Sequence, residues 1–174
     1  MLFRKIAPWF FLALLPFMQS ACSNSKNQAT EASSTASPPS ANFGDELALA
    51  SYSSQSKEGH TEVEFQWKAL RKPGANYLVF VHALDASGNI LFQLDHPLKN
   101  AAGAATSSWA AGDSVYDRFL AAPPNTRPAG TYTLRMGVYV PVPMKFLPVT
   151  QAAVPQPQDG WKDHSVLIQN VECK

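Results

Sequence analysis

Only two of the 174 residues are cysteine and only 16% are charged. One possible pair cannot staple a disulfide-rich scaffold. With 14 basic against 13 acidic side chains, there is no surplus of one sign from which to build a phosphate-binding nucleic-acid surface. Once Arg4 and Lys5 are set apart as part of an export segment, 12 basic side chains remain against the same 13 acidic ones. No apolar run reaches the roughly 20 residues of a membrane-crossing helix. The longest, from Ile6 to Met18, has 13 residues and is interrupted by Pro8 and Pro16. Beyond it no stretch of eleven residues carries a helical stripe. A Gly-x-Ser-x-Gly elbow, a His-Glu-x-x-His pair, a phosphate loop and a paired-cysteine metal motif are all missing. The residues therefore carry no enzyme signature and imply no cofactor. What is present, 45% hydrophobic and 11% aromatic residues with 14 prolines, suits one ordinary folded domain.

The first 21 residues read as an export signal, a basic start followed by the short apolar run and the small residues Ser20 and Ala21. Closing on Cys22, this stretch resembles a bacterial lipoprotein signal, with Gln19 standing where an aliphatic residue is usual. The resemblance implies that Cys22 is the acylated first residue of the mature chain. With Ser23 rather than Asp following, it also implies sorting to the outer membrane, on the periplasmic or the surface face. An ordinary cleaved signal leaving Cys22 as a plain thiol is the alternative. Residues 22–42 are then a tether. From Ser23 to Asn42 no aliphatic or aromatic side chain exceeds Ala in size, so nothing there can offset ordering entropy by burial. With Cys22 lipidated, Cys173 has no partner and is expected to be a buried or tolerated thiol; a Cys22–Cys173 bridge is the other arrangement.

From Phe43 to Lys174 the periodicity is two. In His60–Leu70, Val63, Phe65, Trp67 and Ala69 fall on one face, and Glu62, Glu64, Gln66 and Lys68 on the other, the pattern of a half-buried antiparallel strand. Tyr77–Leu84 is apolar on both faces except for His82, as a central strand is. The turn residues Asp85–Asn89 lead into Ile90–Asp95 as its hairpin partner, with Ile90, Phe92 and Leu94 sharing a face. Leu47–Tyr52, Ser114–Leu120, Thr131–Val140 and Val166–Val171 complete the set. Strands separated by Pro and Gly turns, with no helices between them, predict an all-β fold, an antiparallel immunoglobulin-like sandwich of about seven to eight strands. Tyr132, at the start of a long strand, is placed to bond back to the preceding connection. Five prolines between Pro141 and Asp163 predict a surface excursion rather than a central strand.

The runs Phe43-Gly44-Asp45, Val79–His82, Gln93 with Asp95-His96-Pro97, Trp109 with Gly112 and Asp117, and Gly130 with Tyr132, Arg135, Gly137 and Tyr139 together resemble a bacterial extracytoplasmic β-sandwich module. That module is appended to some membrane glycosyltransferase-like proteins. The resemblance spans nearly all of residues 43–172 and implies the fold, but no activity.

Three polar residues invite a site: His82 in mid-strand, and Asp95 and His96 at the end of its hairpin partner. Alternation puts Asp95 and His96 on opposite faces, so at most one can share a face with His82. A zinc site needs three or four converging ligands, and His60 and His164 lie on other segments, so a structural hydrogen bond pinning the hairpin is expected. Trp109, with Tyr116 nearby, and Trp161, with Phe146 on the same excursion, could form an aromatic platform for sugar rings, Asp159 and Asp163 giving Trp161 a polar setting. Trp109 as a plug over the open end of the sandwich is the expectation weighed against it. Glu62 and Glu64 lie two apart on one strand face and cannot straddle a glycosidic bond alone. The functional expectation is a non-catalytic protein-binding or assembly module held to the envelope membrane by lipid on Cys22. A carbohydrate-binding module is the alternative, and a hydrolase or metal enzyme around His82, Asp95 and His96 ranks third.

Overall fold

The structure, a computed structural model, describes residues 41–174 apart from Glu58. The export segment and nearly all of the tether lie outside the described residues. Two antiparallel sheets pack face to face as a sandwich. The first runs in the order β10(Val149–Ala152), β1(Ala41–Phe43), β2(Leu47–Lys57), β3(His60–Ala69) and β7(Ser114–Leu120). The second runs β11(Val166–Cys173), β8(Gly130–Pro141), β4(Leu78–Leu84) and β5(Ile90–Gln93), with β6(His96–Pro97) on β4 and β9(Met144–Phe146) on β8. The only helical turn among the described residues is a 3₁₀ turn at Thr106–Ser108.

The eleven strands exceed the expected seven or eight because β1, β6, β9 and β10 are each only two to four residues long, too short to show a period in sequence. The sandwich includes residues ahead of the expected Phe43 boundary. Ala41 and Asn42, expected in the tether, pair with β2 and β10, and Ala41 is buried. Two of the short strands come from the Pro-rich excursion. It contributes edge strands to both sheets, β9 to one and β10 to the other, and so crosses the side of the sandwich.

The core follows the alternation. Val63, Phe65, Trp67 and Ala69 of β3 are fully buried, and face Val79, Val81 and Ala83 of β4 and Leu134, Met136 and Val138 of β8 across the interior. Ile90 departs from expectation. A register shift between Ala83 and Leu84 leaves Ile90 exposed while Phe92 stays buried, because one extra residue turns every side chain beyond it to the other face. Cys173 is buried, and burial with the adjacent Glu172 pushes its thiol up to about 11; it is an inert packing group.

Tyr132 donates its hydroxyl to the Pro128 carbonyl at 2.5 Å, the corner bond expected of an immunoglobulin-like sandwich. Tyr132→Phe should lower unfolding free energy by about 1 kcal/mol, read as a shift of the denaturation midpoint at unchanged slope.

The outer face of the second sheet is also covered, which explains why β4 is apolar on both faces. Phe80 of β4 packs against Tyr139, Phe146 and Trp161, with ring centroids 5.4 Å apart for the last pair. The return limb of the excursion lies directly on β8 at Gly137, where a Cβ would stand 2.3 Å from the His164 carbonyl oxygen.

Candidate interaction surface

The residues singled out in sequence separate into structural pins. His82 and Gln93 are cross-strand neighbours, and the Gln93 amide lies 3.1 Å from His82 Nε2. Asp95 Oδ1 accepts the Val81 N–H at 3.0 Å and sits 3.5 Å from His82 Nε2. Both contacts hold the hairpin, as expected. His96 points the other way, so the three do not converge. Among the described residues no three His, Cys, Asp or Glu side chains are placed to hold a metal ion.

His96 instead joins the two sheets. Its Nε2 lies 2.9 Å from Asp117 Oδ2 on β7 and its Nδ1 lies 2.8 Å from the Leu94 carbonyl. With an acceptor at each nitrogen, the doubly protonated ring satisfies both. Burial by itself lowers the His96 pKa, but the hydrogen bond and charge of Asp117, with the Leu94 carbonyl and Asp95, outweigh it and raise the value above the ordinary 6.5. A raised folded-state pKa contributes stability that is fully present below the unfolded value and lost as pH rises through the folded value. The melting temperature should therefore fall as pH is raised from about 6 through the raised His96 pKa, and His96→Asn should flatten that part of the profile.

Trp109 is 2% exposed, and its indole N–H donates to the Ala104 carbonyl at 3.2 Å. It is a plug, and its candidacy as a binding platform is corrected by that burial. Trp161 is half-buried. Its ring lies on Phe80 and Phe146, with the Arg135 guanidinium carbon 4.9 Å from its centroid. Arg135, itself buried, is paired with Asp159 at 3.0 Å, and the other Asp159 oxygen accepts the Trp161 N–H. Asp159 and Trp161 thus seat the excursion on the sheet. Asp163 is exposed, and its backbone carbonyl accepts the Val149 N–H. Trp161, Asp159 and Asp163 do not form one open face with Trp109.

The feature that sequence reasoning missed is the edge of β7, which among the described residues pairs with no strand on the side away from β3. The Ala121 N–H donates to Thr61 and the Ala69 N–H to Asp113, both at 2.8 Å, at the two ends of the β3–β7 ladder. Antiparallel bonding alternates. Val115, Asp117 and Phe119 therefore bond to β3, while the N–H and C=O groups of Ser114, Tyr116, Arg118 and Leu120 point away from it. β7 ends its sheet and pairs with β3 over seven residues without a register shift. The other edges are less available. β5 and β10 have four residues each, and β11 is bulged before Val171 and donates the Leu167 N–H to the Pro155 carbonyl.

Alongside this edge runs a groove of two contiguous sections, about 430 and 440 Å³, which share Asn100, Ala101, Tyr116 and Arg118. The segment that runs on from His96, Pro97–Gly103, forms its far wall. On the outer face beside it, Tyr116 and Leu120 are more than half exposed, and Arg118 pairs with Glu64 at 2.5 Å and approaches Glu62 at 3.7 Å. No family model matches the chain, and no curated protein or solved structure matches it either.

Proposed function

We propose that this chain is a lipid-anchored bacterial envelope protein, akin to the extracytoplasmic sandwich module it resembles. It binds another polypeptide without catalysis, taking an extended segment of that partner along the edge of β7. The observation that carries this reading is the row of backbone groups at Ser114, Tyr116, Arg118 and Leu120 that have no partner among the described residues, beside a groove. Regular edges template strand addition, and the inward-pointing acid of this one, Asp117, is already paired with His96 at 2.9 Å and does not stand against an added strand. The anchor is lipid on Cys22, at the outer membrane, and the tether gives the domain reach. Cys22→Ser is expected to shift the protein from the membrane fraction to the soluble one or to leave it unprocessed; equal retention with equal mature mass contradicts the anchor.

A photo-crosslinking residue at Tyr116 or Leu120 in living cells tests the edge. Discrete protein adducts are expected there and not from a probe at the exposed Gln169. Equal labelling at all three positions, or none, contradicts docking at β7. The alternative, glycan binding, draws on the polar hollow of about 420 Å³ lined by Ser53, Gln55, Lys57, Glu62, Glu64 and Arg118, with Tyr116 as the adjoining aromatic. Glycan-array binding that Tyr116→Ala abolishes would favour it.

A further inference from the structure

The groove along β7 is not uniform in charge. In its first section the walls carry His96, Lys99, Asp117 and Arg118. Asp117 is bonded to His96, and Arg118 is held by Glu64 and Glu62, so both already have partners. Lys99 is exposed and takes part in none of the ion pairs among the described residues. The second section is lined by Asp113, Ser114 and Val115, at the opposite end of the strand. The Asp113 carboxylate accepts the Ala110 N–H at 2.8 Å and has no cation beside it among the described residues. One end of the groove is therefore left positive at Lys99 and the other negative at Asp113.

Strand geometry converts this into a spacing. A segment added to β7 bonds to Ser114, Tyr116, Arg118 and Leu120. Its residues opposite those four lie on the outer face, and the alternate ones, opposite Val115, Asp117 and Phe119, turn into the groove. The position opposite Val115 lies in the Asp113 section and the position opposite Phe119 in the Lys99 section. They are four residues apart. The middle groove-facing position meets the His96–Asp117 pair, whose carboxylate is already engaged by the imidazole.

We infer that β7 takes an extended partner segment carrying an acidic and a basic side chain four residues apart, the carboxylate meeting Lys99 and the cation meeting Asp113. The inference rests on the docking reading above and adds the chemistry of the partner. Whether the acidic residue comes first or last in the partner sets which way its strand runs, since the charges on β7 are fixed.

The test selects a random decapeptide library on the full mature chain in detergent micelles, and in parallel on Lys99→Glu and Asp113→Asn. The second change removes charge while keeping the oxygen that accepts the Ala110 N–H. The expected result is enrichment of Asp or Glu paired with Lys or Arg at a spacing of four. Lys99→Glu should abolish the acidic preference and weaken the selected peptides about fivefold or more, because an exposed attraction is replaced by a repulsion. Asp113→Asn should remove only the basic preference. Tyr116→Pro, which lacks the edge N–H, should lose all of them, whereas Tyr116→Ala should keep the charge spacing. Selected peptides without that spacing, or with a spacing indifferent to both charge variants, overturn the inference. If crosslinks at Tyr116 persist in cells in that case, the docking reading stands and only the partner chemistry fails; absence of both removes the two together.

Discussion

Gly137→Ala should be among the most damaging single changes in the domain, costing about 3 kcal/mol, the upper part of the range for an overpacked interior, or preventing folding outright. The added methyl would stand 2.3 Å from the His164 carbonyl oxygen and 2.5 Å from two ring atoms of Phe80. Neither neighbour can yield easily. The carbonyl belongs to a limb held by the Arg135–Asp159 pair, and the Phe80 ring is enclosed by Tyr139, Phe146 and Trp161. Backbone freedom is not the issue at this position; space is. The denaturation midpoint measures the effect, and an Asp159→Ala background gives it a second reading. Unpinning the limb should let it lift, so the further cost of Gly137→Ala should be smaller there than in the wild-type chain. A Gly137→Ala protein with an unchanged midpoint would mean that the excursion does not rest on β8.

Trp109→Ala should cost a comparable amount, about 3–5 kcal/mol, by opening a cavity in the core and leaving the Ala104 carbonyl without its indole donor. Trp109 lies in the same buried cluster as Trp67, Tyr77 and Leu98. Trp109→Phe should recover part of the loss, since it refills volume without restoring the hydrogen bond. The contrast with Trp161→Ala separates plug from seat. Trp161 is partly exposed and covers Phe80 from outside the main core, so its removal should destabilise less. If Trp109→Ala melts like the wild type while losing a ligand, the ring is a platform after all.

The sandwich itself was legible because its longer strands alternate cleanly. His60–Ala69 shows a strict period of two, and Ser114–Leu120 matches its expected bounds residue for residue. The shorter strands were not legible, since two to four residues cannot display a period. β9 and β10 exist only because the Pro-rich excursion passes two sheet edges. The bulge that exposes Ile90 likewise depends on the partner strand. At the candidate site, alternation correctly kept His82, Asp95 and His96 from forming one cluster. The β7 edge was missed, although Asp117, an inward-facing acid between Val115 and Phe119, is a mark of edge strands. The sequence places Asp117 only within the Ser114–Leu120 strand and the module resemblance, and its partner His96 comes from the other sheet, a distance no local pattern spans.

Amide hydrogen exchange along β7 tests the docking edge most directly. In the free chain, the amides of Val115, Asp117 and Phe119 should be protected by β3, while those of Tyr116, Arg118 and Leu120 exchange rapidly, a strict alternation along one strand. Addition of a crosslinked or library-selected partner segment should slow the second set while leaving the first unchanged. Uniform protection along β7 in the free chain, or fast exchange at Tyr116 and Arg118 that the bound segment does not slow, would contradict it.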